Sequence, residues 1–334
     1  MFFATILDKN YITRAEVMFN SLIESSNNDF GKLFIFCLDD SVFEYFKNTK
    51  KIEVIKTSDL EDFFPELVNA KSNRSFIEYI FTLSPFLPLF ILNHHQYVKR
   101  ITTIDADLYF LSTPATIINS LNTDEIGITP HSFPEDLTHM EKHGKYNVSF
   151  QSFPRTENAI ACLNYWAKSC IEFCGDEIDE YGRYADQKYL DNWKNMFSNV
   201  IDFPFPQIGL APWNLKKVSQ NLTINPIKNI VFYHFHDFKI RTNFHATIGL
   251  VNYNFTKINN TTLQLYTTYW NKLCKVGHKT DNAFKRHSDN IFNYIFLRDI
   301  KNKPILIMLF NIGFYIDVRK YLNPLYNIIK KFHV

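Results

Sequence analysis

The stretch Val98-Lys99-Arg100-Ile101-Thr102-Thr103-Ile104-Asp105-Ala106-Asp107-Leu108-Tyr109-Phe110 decides the fold. Its first half, an apolar run carrying β-branched residues, predicts a buried strand. The strand delivers Asp105 and Asp107 at its carboxyl end, which is where ligands bind in open parallel sheets. Residues i and i+2 of an extended chain point the same way, so both carboxylates can face one site and suit Mg²⁺ or Mn²⁺ holding a diphosphate. Alone, such a pair is more typical of a strand that ends in a polar turn.

The composition is that of an ordinary globular chain. With 334 residues, 46% hydrophobic and 21% charged, it fits one large or two modest domains. The formal net charge of only +2 does not indicate a nucleic-acid partner. Glycine is scarce, with 9 residues, and the sequence contains no G-x-G-x-x-G or Walker pattern. Any nucleotide must therefore be held by other means.

The five cysteines indicate a reducing compartment. Their number is odd and no C-x-x-C pair occurs, so no disulfide framework is implied. The first residues lack the pattern of a signal peptide, and no run reaches the roughly 18 apolar residues of a membrane span. We therefore expect a cytoplasmic protein.

Short apolar runs alternate with helical patterns along the first part of the chain. Phe2–Leu7 predicts a first strand, a stripe from Ala15 to Ile23 predicts a helix, and Lys32–Leu38 and Ile52–Ile55 predict two further strands. This alternation is typical of a parallel sheet in an α/β fold. Later predictions are a helix broken at Pro85 and Pro88, strands at 126–129, 147–153 (antiparallel) and 229–234, and helices at 157–173 and 186–193.

The C-terminal segment differs from the rest in charge. Residues 301–334 carry six Lys and Arg against one Asp, a net charge of +5. We expect a main domain over residues 1–270 and a helical basic extension over residues 271–334. The extension can lie on an anionic membrane surface or pack on the domain with its basic face in water, and the sequence leaves both open.

Five motifs in order resemble a known family. They are Ala4-Thr5-Ile6-Leu7-Asp8-Lys9-Asn10-Tyr11, Ile104-Asp105-Ala106-Asp107, Asp186-Gln187-Lys188-Tyr189-Leu190, Gly209-Leu210-Ala211-Pro212-Trp213-Asn214-Leu215 and Tyr233-His234-Phe235-His236. Together they resemble the metal-dependent GT-A glycosyltransferases, specifically the bacterial family-8-like nucleotide-diphospho-sugar transferases. The likeness runs from residue 2 to about residue 245. It implies a single Rossmann-like GT-A domain with a mostly parallel central sheet.

The resemblance implies how a nucleotide sugar is bound. Asp8 and Asn10 would hydrogen-bond uracil and Tyr11 would stack on it; the alternative for Tyr11 is a turn residue packed on the first helix. The other donor contacts implied are Thr5, Arg74, Asp105, Ala106, Asp107, Asn147 and, as a point charge on the diphosphate, Lys239. After Asn147 the small residue of the family is replaced by Val148-Ser149.

The resemblance also implies a metal site made by Asp105, Asp107 and His234. The family's His-x-x-Gly motif has Asp237 in place of its glycine, which leaves the local turn open and makes His236 an alternative ligand. An imidazole beside two carboxylates favours Mn²⁺ over Mg²⁺.

Asp186 and Gln187 match the family's Asp-Gln pair near the anomeric carbon of the donor sugar, and the resemblance gives them the catalytic role. An Asp at the start of a helix is also a good N-cap, so a structural role competes with the chemical one. Pro212-Trp213-Asn214 would shape the acceptor side, or Trp213 is simply buried.

The sequence thus predicts a glycosyltransferase that moves a sugar from a UDP-sugar to a glycan or lipid-linked acceptor, with retention, in bacterial surface polysaccharide synthesis. It would be cytoplasmic, peripheral on the inner face of the membrane, and would not bind nucleic acid. Two alternatives stay open. One is metal-dependent phosphoryl or nucleotidyl transfer, and the other is a non-catalytic glycan-binding protein on the same fold.

Overall fold

The computed structural model describes residues 1–219, 229–242, 245–255 and 258–280, and short strands at 294–297, 306–309 and 314–317. The chain forms two compact units, Met1–His234 and Phe235–Val334. The predicted domain boundary after residue 270 stays a prediction.

The first unit opens with strands and helices in alternation. They are β1 (Phe2–Leu7), α1 (Ile12–Ser26), β2 (Lys32–Cys37), α2 (Asp40–Phe46) and β3 (Ile52–Lys56). A helical segment follows, with α3 (Thr57–Phe63), α4 (Glu66–Asn73), α5 (Phe76–Leu83) and α6 (Phe86–His94). Ser75 begins α5 with a capping box to Glu78. The helix ends just before Pro85, as the sequence predicts.

The rest of the unit supplies the other strands of the sheet and the covering helix. Its strands are β4 (Arg100–Ile104), β5 (Leu108–Phe110), β6 (Ile126–Pro130), β7 (Tyr146–Pro154), β8 (Val200–Asp202) and β9 (Phe232–His234). Its helices are α7 (Ala115–Ile118), α8 (Glu157–Glu172), α9 (Trp193–Met196) and α10 (Leu215–Ser219), with 3-10 segments at Glu135–His143 and Gln187–Asn192.

Seven strands form the central sheet in the order β3-β2-β1-β4-β7-β6-β8. Within it β7 is antiparallel to both of its neighbours, and the other strands share one direction. The predicted α/β class with a mostly parallel central sheet is therefore confirmed, as is the antiparallel direction of the strand at 147–153. The carboxyl ends of β1 and β4 lie side by side, which brings the turn after β1 next to Asp105.

Both faces of the sheet are buried, which explains why its strands are almost continuously apolar. Ala4, Phe34 and Phe153 point into one core, which α5, α6 and α8 cover. Phe3, Ile35 and Phe150 point into the other, under α1 and α2. No single helix in the described residues is long and apolar enough to cross a membrane. The helices α5 and α6, which are bent by 43° relative to each other, reach that length and apolar composition only when taken together.

The second unit contains a hairpin of β10 (Lys239–Thr242) and β11 (His245–Thr247), then the helix α11 (Asn260–Thr280). Beyond it, β12 (Tyr294–Leu297), β13 (Leu306–Leu309) and β14 (Phe314–Asp317) form an antiparallel sheet. The helical extension predicted over residues 271–334 is thus seen as helix only to Thr280. The described residues after it are strands, and the rest of the tail lies outside the described residues.

Candidate metal and donor site

Three side chains meet at the carboxyl edge of the sheet. β5 pairs with β9 so that Leu108 lies opposite His234, which carries the imidazole to the turn that holds Asp105 and Asp107. The Nε2 atom of His234 lies 3.1 Å from Oδ1 of Asp107 and 3.5 Å from Oδ2 of Asp105. The side chains of Asp107 and His234 are 14% and 6% exposed, whereas that of Asp105 is 40% exposed. The cluster therefore opens to solvent on the Asp105 side.

The spacing of these atoms fits a divalent cation. One ligand atom from each of the three side chains lies within 4.8 Å of the others. Two ligands bound at right angles at 2.0–2.1 Å are about 3 Å apart, close to the observed separations. Two carboxylates and one imidazole form a donor set suited to Mn²⁺. The residues present therefore fit the metal that the sequence predicts, although the identity of the ion stays a prediction.

The electrostatics of the cluster also favour a cation. Burial raises the pKa of Asp105; His234 opposes this change, and the charge of Asp107 adds to it. Burial would lower the pKa of His234, but the carboxylates of Asp107 and Asp105 raise it above its usual value. Protons are therefore held more tightly than usual on both groups. Two adjacent carboxylates partly removed from water concentrate negative charge, which a divalent ion would neutralise.

The turn after β1 borders this cluster. The carboxylate of Asp8 accepts hydrogen bonds from the backbone N–H of Asn10 at 3.0 Å and from its side-chain Nδ2 at 2.9 Å. Tyr11 is 41% exposed, and the guanidinium of Arg14 lies 4.8 Å from the centre of its ring. Burial, followed by the charge of Asp107, raises the pKa of Tyr11, so the phenol lies near the cluster of Asp105, Asp107 and His234. A partly exposed aromatic residue thus lies beside the candidate cation site.

Three further residues that the sequence predicts to contact the donor are buried in this structure. Thr5 is 1% exposed within β1, and Ala106 is 5% exposed between the two carboxylates. Asn147 is 4% exposed, and its Oδ1 accepts from the backbone N–H of Ser149 at 3.1 Å. The carbonyl of Ser149 accepts in turn from the backbone N–H of Asp105 at 3.0 Å. Asn147 therefore supports the backbone next to Asp105, and its contact with sugar stays a prediction.

Asp186 is buried, with 2% of its surface exposed. Its carboxylate accepts a hydrogen bond from the Ser84 hydroxyl, and its backbone carbonyl accepts one from Nε1 of Trp166 at 2.9 Å. The side chain caps no helix, so the structural alternative of an N-cap is not realised. Burial raises the pKa of Asp186 to about 7, and the charge of Asp105 adds to the effect. The two carboxylates therefore lie close enough to interact.

Gln187 lies next to this group. Its Nε2 donates to the backbone carbonyl of His143 at 2.9 Å, which fixes one half of the amide. Among the described residues no donor reaches its Oε1 atom. The predicted role of Gln187 in the reaction stays a prediction.

Arg74 forms a structural link in this fold. Its guanidinium donates to the Thr82 hydroxyl, and at 2.6 Å to the carbonyl of Ile171, near the end of α8. It thus links the residue before α5 to the end of that helix and to the end of α8. Its predicted contact with the donor stays a prediction.

The remaining predicted residues belong to the second unit. The backbone of Asp237 has φ of 61°, a left-handed conformation that Asp tolerates better than most residues, so the turn survives the loss of glycine. Its carboxylate accepts from Nδ2 of Asn252 at 3.1 Å and pairs with Nζ of Lys239 at 3.2 Å. His236 is exposed. The alternative ligand role of His236 and the diphosphate role of Lys239 stay predictions.

The structure adds contacts that the sequence analysis missed. Ser84 follows α5, and nothing in the sequence near it indicates a functional role beyond the helix break at Pro85. Its hydroxyl nevertheless donates the hydrogen bond to the carboxylate of Asp186. His131 lies just after β6, and its carbonyl accepts hydrogen bonds from Trp213 and Asn214 at 2.9 Å each. These contacts join residues from distant parts of the chain, so no regular spacing in the sequence indicates them.

No family model matches this sequence. Three solved structures share a general likeness. The galactosyltransferase LgtC, in complex with donor and acceptor sugar analogues, is 12% identical, with 71% of this chain and 87% of that chain covered and a TM-score of 0.45. The xyloside xylosyltransferase 1 of mouse is 13% identical, with 70% of this chain and 97% of that chain covered and a TM-score of 0.46. The glycosyltransferase GlyE of Streptococcus pneumoniae TIGR4 is 11% identical, with 88% of this chain and 66% of that chain covered and a TM-score of 0.46. These scores are low, and the fold assignment rests on the sheet itself.

Two proteins of Bacillus subtilis (strain 168) are more similar in sequence. YfnF, described as an uncharacterized protein, is 27% identical over 253 residues, which cover 71% of this chain and 82% of YfnF. YfnD, also described as uncharacterized, is 30% identical over 251 residues, which cover 72% of this chain and 78% of YfnD. The chain therefore belongs to the same protein family as YfnD of Bacillus subtilis.

Proposed function

We propose that this protein is a metal-dependent GT-A glycosyltransferase of the family-8-like group. Its donor would be a nucleotide diphosphate sugar, with a UDP-sugar as the first candidate, and its acceptor a hydroxyl on a glycan or lipid-linked glycan. The observation that carries the proposal is the cluster of Asp105, Asp107 and His234 at the carboxyl edge of a mostly parallel sheet. Ligands bind at this edge in open α/β sheets.

The residues around the cluster divide the work of binding. Asp105, Asp107 and His234 would hold the cation, which when bound neutralises the charge of the departing diphosphate. Tyr11 offers a partly exposed ring on which the base would stack, and Asp8 and Asn10 form the adjoining turn. Holding donor and acceptor in one orientation removes much of the entropic part of the barrier.

The catalytic proposal concerns Asp186 and Gln187. Asp186 is a buried carboxylate that interacts with Asp105, and it performs no capping role that would explain its burial. It would contact donor-sugar hydroxyls, and Gln187 would lie beside the reaction centre. We propose transfer with retention, as the resemblance to the family-8-like enzymes implies.

A donor panel tests this function. The full-length protein is incubated with Mn²⁺ and a set of UDP-, GDP- and other nucleotide sugars, and slow release of nucleotide and free sugar is followed. A matching rise in melting temperature is expected, since a ligand that binds only the folded state stabilises it. Inorganic phosphate released from a monoester would support phosphoryl transfer instead. Binding of glycans without turnover of any donor would support a binding protein.

The cellular setting is a separate part of the proposal. We propose a cytoplasmic enzyme of bacterial surface polysaccharide synthesis whose basic tail, with its net charge of +5, rests on the anionic inner face of the membrane. Deletion of residues 301–334 should then move the protein from the membrane fraction to the soluble fraction. Unchanged fractionation would contradict membrane attachment by the tail.

A further inference from the structure

The loop Gly209–Leu215 holds the backbone of His234. The backbone N–H of His234 donates to the carbonyl of Leu210 at 2.9 Å. Leu210 also forms a parallel bridge with Tyr233, the residue before the histidine. The position of His234 is thus set from two sides, by β5 across the small sheet and by this loop.

Trp213, in the same loop, lies against the imidazole itself. The two ring centres are 5.4 Å apart and the ring planes meet at 86°, an edge-to-face contact. Trp213 and His234 are each 5% exposed, so water does not separate them. The outer torsion of a histidine side chain has a broad energy minimum, so packing has to fix the direction of its ring nitrogens. Here the indole is in place to do so.

The indole is itself held by a set of hydrogen bonds. Nε1 of Trp213 and Nδ2 of Asn214 both donate to the carbonyl of His131, at 2.9 Å each. Nδ2 of Asn214 also donates to the carbonyl of Gly209 at 2.8 Å, and its Oδ1 accepts from the backbone N–H of Ala211 at 2.9 Å. Asn214 is 0% exposed, so these bonds are shielded from water. The loop is thereby fastened to the end of β6.

We propose that Trp213 is a positioning residue that aims Nε2 of His234 at Asp105 and Asp107, and that Asn214 fixes Trp213 in place. The inference rests on the proposed metal site. The alternative is that Trp213 only fills space, as a buried tryptophan does in many cores. Trp193 provides the comparison, because it is 0% exposed and packs against Phe153 and Trp166 in the core that α5, α6 and α8 cover.

The experiment measures Mn²⁺ binding by the full-length protein without any donor. Calorimetry gives the dissociation constant, and pulsed electron paramagnetic resonance of bound Mn²⁺ reports the ¹⁴N coupling of a ligated imidazole. W213L should weaken Mn²⁺ binding about 10- to 100-fold, the range found when support of a metal ligand is removed, and should diminish the ¹⁴N coupling. W213F keeps a ring against the imidazole and should stay within about threefold of the wild type. W193L should lower the melting temperature yet leave both metal readouts unchanged.

The results distinguish a positioning role of Trp213 from a space-filling one, and both from failure of the metal site. Wild-type affinity and ¹⁴N coupling in W213L would overturn the positioning role. If W213L does not fold, W213M, which fills the space without a flat ring, is measured against the same two outcomes. The double variant D105N/D107N tests the metal site itself. If it binds Mn²⁺ like the wild type, the proposed function fails; if it loses binding while W213L does not, only the role of Trp213 fails.

Discussion

Replacement of Asp186 by asparagine should stabilise the free protein at alkaline pH. Asp186 is 2% exposed, and burial raises its pKa to about 7 from an ordinary value of 3.8. An acid with a raised pKa in the folded state ionises more easily when the chain unfolds, so its charge destabilises the fold. The penalty is absent below the unfolded pKa, grows as the pH rises between the two values, and is complete above about 7.

The size of the effect follows from the shift. At roughly 1.36 kcal/mol for each pKa unit, a rise of about three units corresponds to about 4 kcal/mol. D186N removes the charge and keeps an oxygen that can accept from the Ser84 hydroxyl. We therefore expect its free energy of unfolding to exceed that of the wild type by up to about 4 kcal/mol above pH 8, and to equal it near pH 4. Under the proposed function the same variant should lose transferase activity, which would explain why an unfavourable buried acid is present.

The assay is urea unfolding, monitored by tryptophan fluorescence at several pH values with a chelator present. Asp179 serves as the control because it is a carboxylate in the preceding loop with the opposite behaviour. Burial would raise the pKa of Asp179, but hydrogen bonds from Arg183 hold it below its usual value. D179N should therefore lose stability at neutral pH and approach the wild type in acid. A stability difference for D186N that does not change with pH would refute the reasoning.

Three further predictions concern the metal, a glycine and an arginine. Mn²⁺ affinity should fall as the pH is lowered from about 8 to about 6, because protons held by Asp105 and His234 compete with the ion. A dissociation constant that calorimetry finds unchanged over this pH range would contradict this. Gly249 has φ of 68°, and an added Cβ would lie 2.4 Å from that of Asp237. G249A should therefore destabilise the second unit by at least about 1–2 kcal/mol in urea unfolding, and unchanged stability would count against the described turn. R74A should lose about 1–3 kcal/mol of stability with unchanged binding of UDP-sugar, since its guanidinium ties two helices. Weaker donor binding at unchanged stability would instead support the donor contact predicted for Arg74.

The sequence predicted those features that depend on local pattern. Phe2–Leu7 and Lys32–Cys37 are short apolar runs separated by one helix, and the structure pairs them in parallel. Because parallel strands end at one edge, the position of Asp105 and Asp107 could be foreseen from the end of a single strand. The resemblance implied that His234 joins them, and the structure brings the three side chains together; their role as metal ligands stays a prediction.

The features that depend on distant contacts could not be read from the chain. No periodicity links Leu108 to His234, yet their pairing across β5 and β9 builds the cluster. Arg74 stands where a basic residue was expected, but the carbonyl of Ile171 decides where its guanidinium points. A run of apolar and basic residues after Thr280 fitted helices as well as strands, because short apolar runs do not distinguish the two. The strands at 294–297, 306–309 and 314–317 therefore differ from the prediction.

The pairing of β5 with β9 has a consequence for the order in which the proposed metal site is assembled. Asp107 and His234 are more than a hundred residues apart in the chain, so a growing polypeptide presents two carboxylates long before it presents the imidazole. Closing so long a loop is slow, and contacts of this kind form late. A nascent chain that ends before β9 should accordingly bind Mn²⁺ weakly even when its first strands are folded. Under the proposed function the cation would be captured as a last step of maturation, and from then on it would join the middle of the first unit, at Asp105 and Asp107, to the end of that unit at His234.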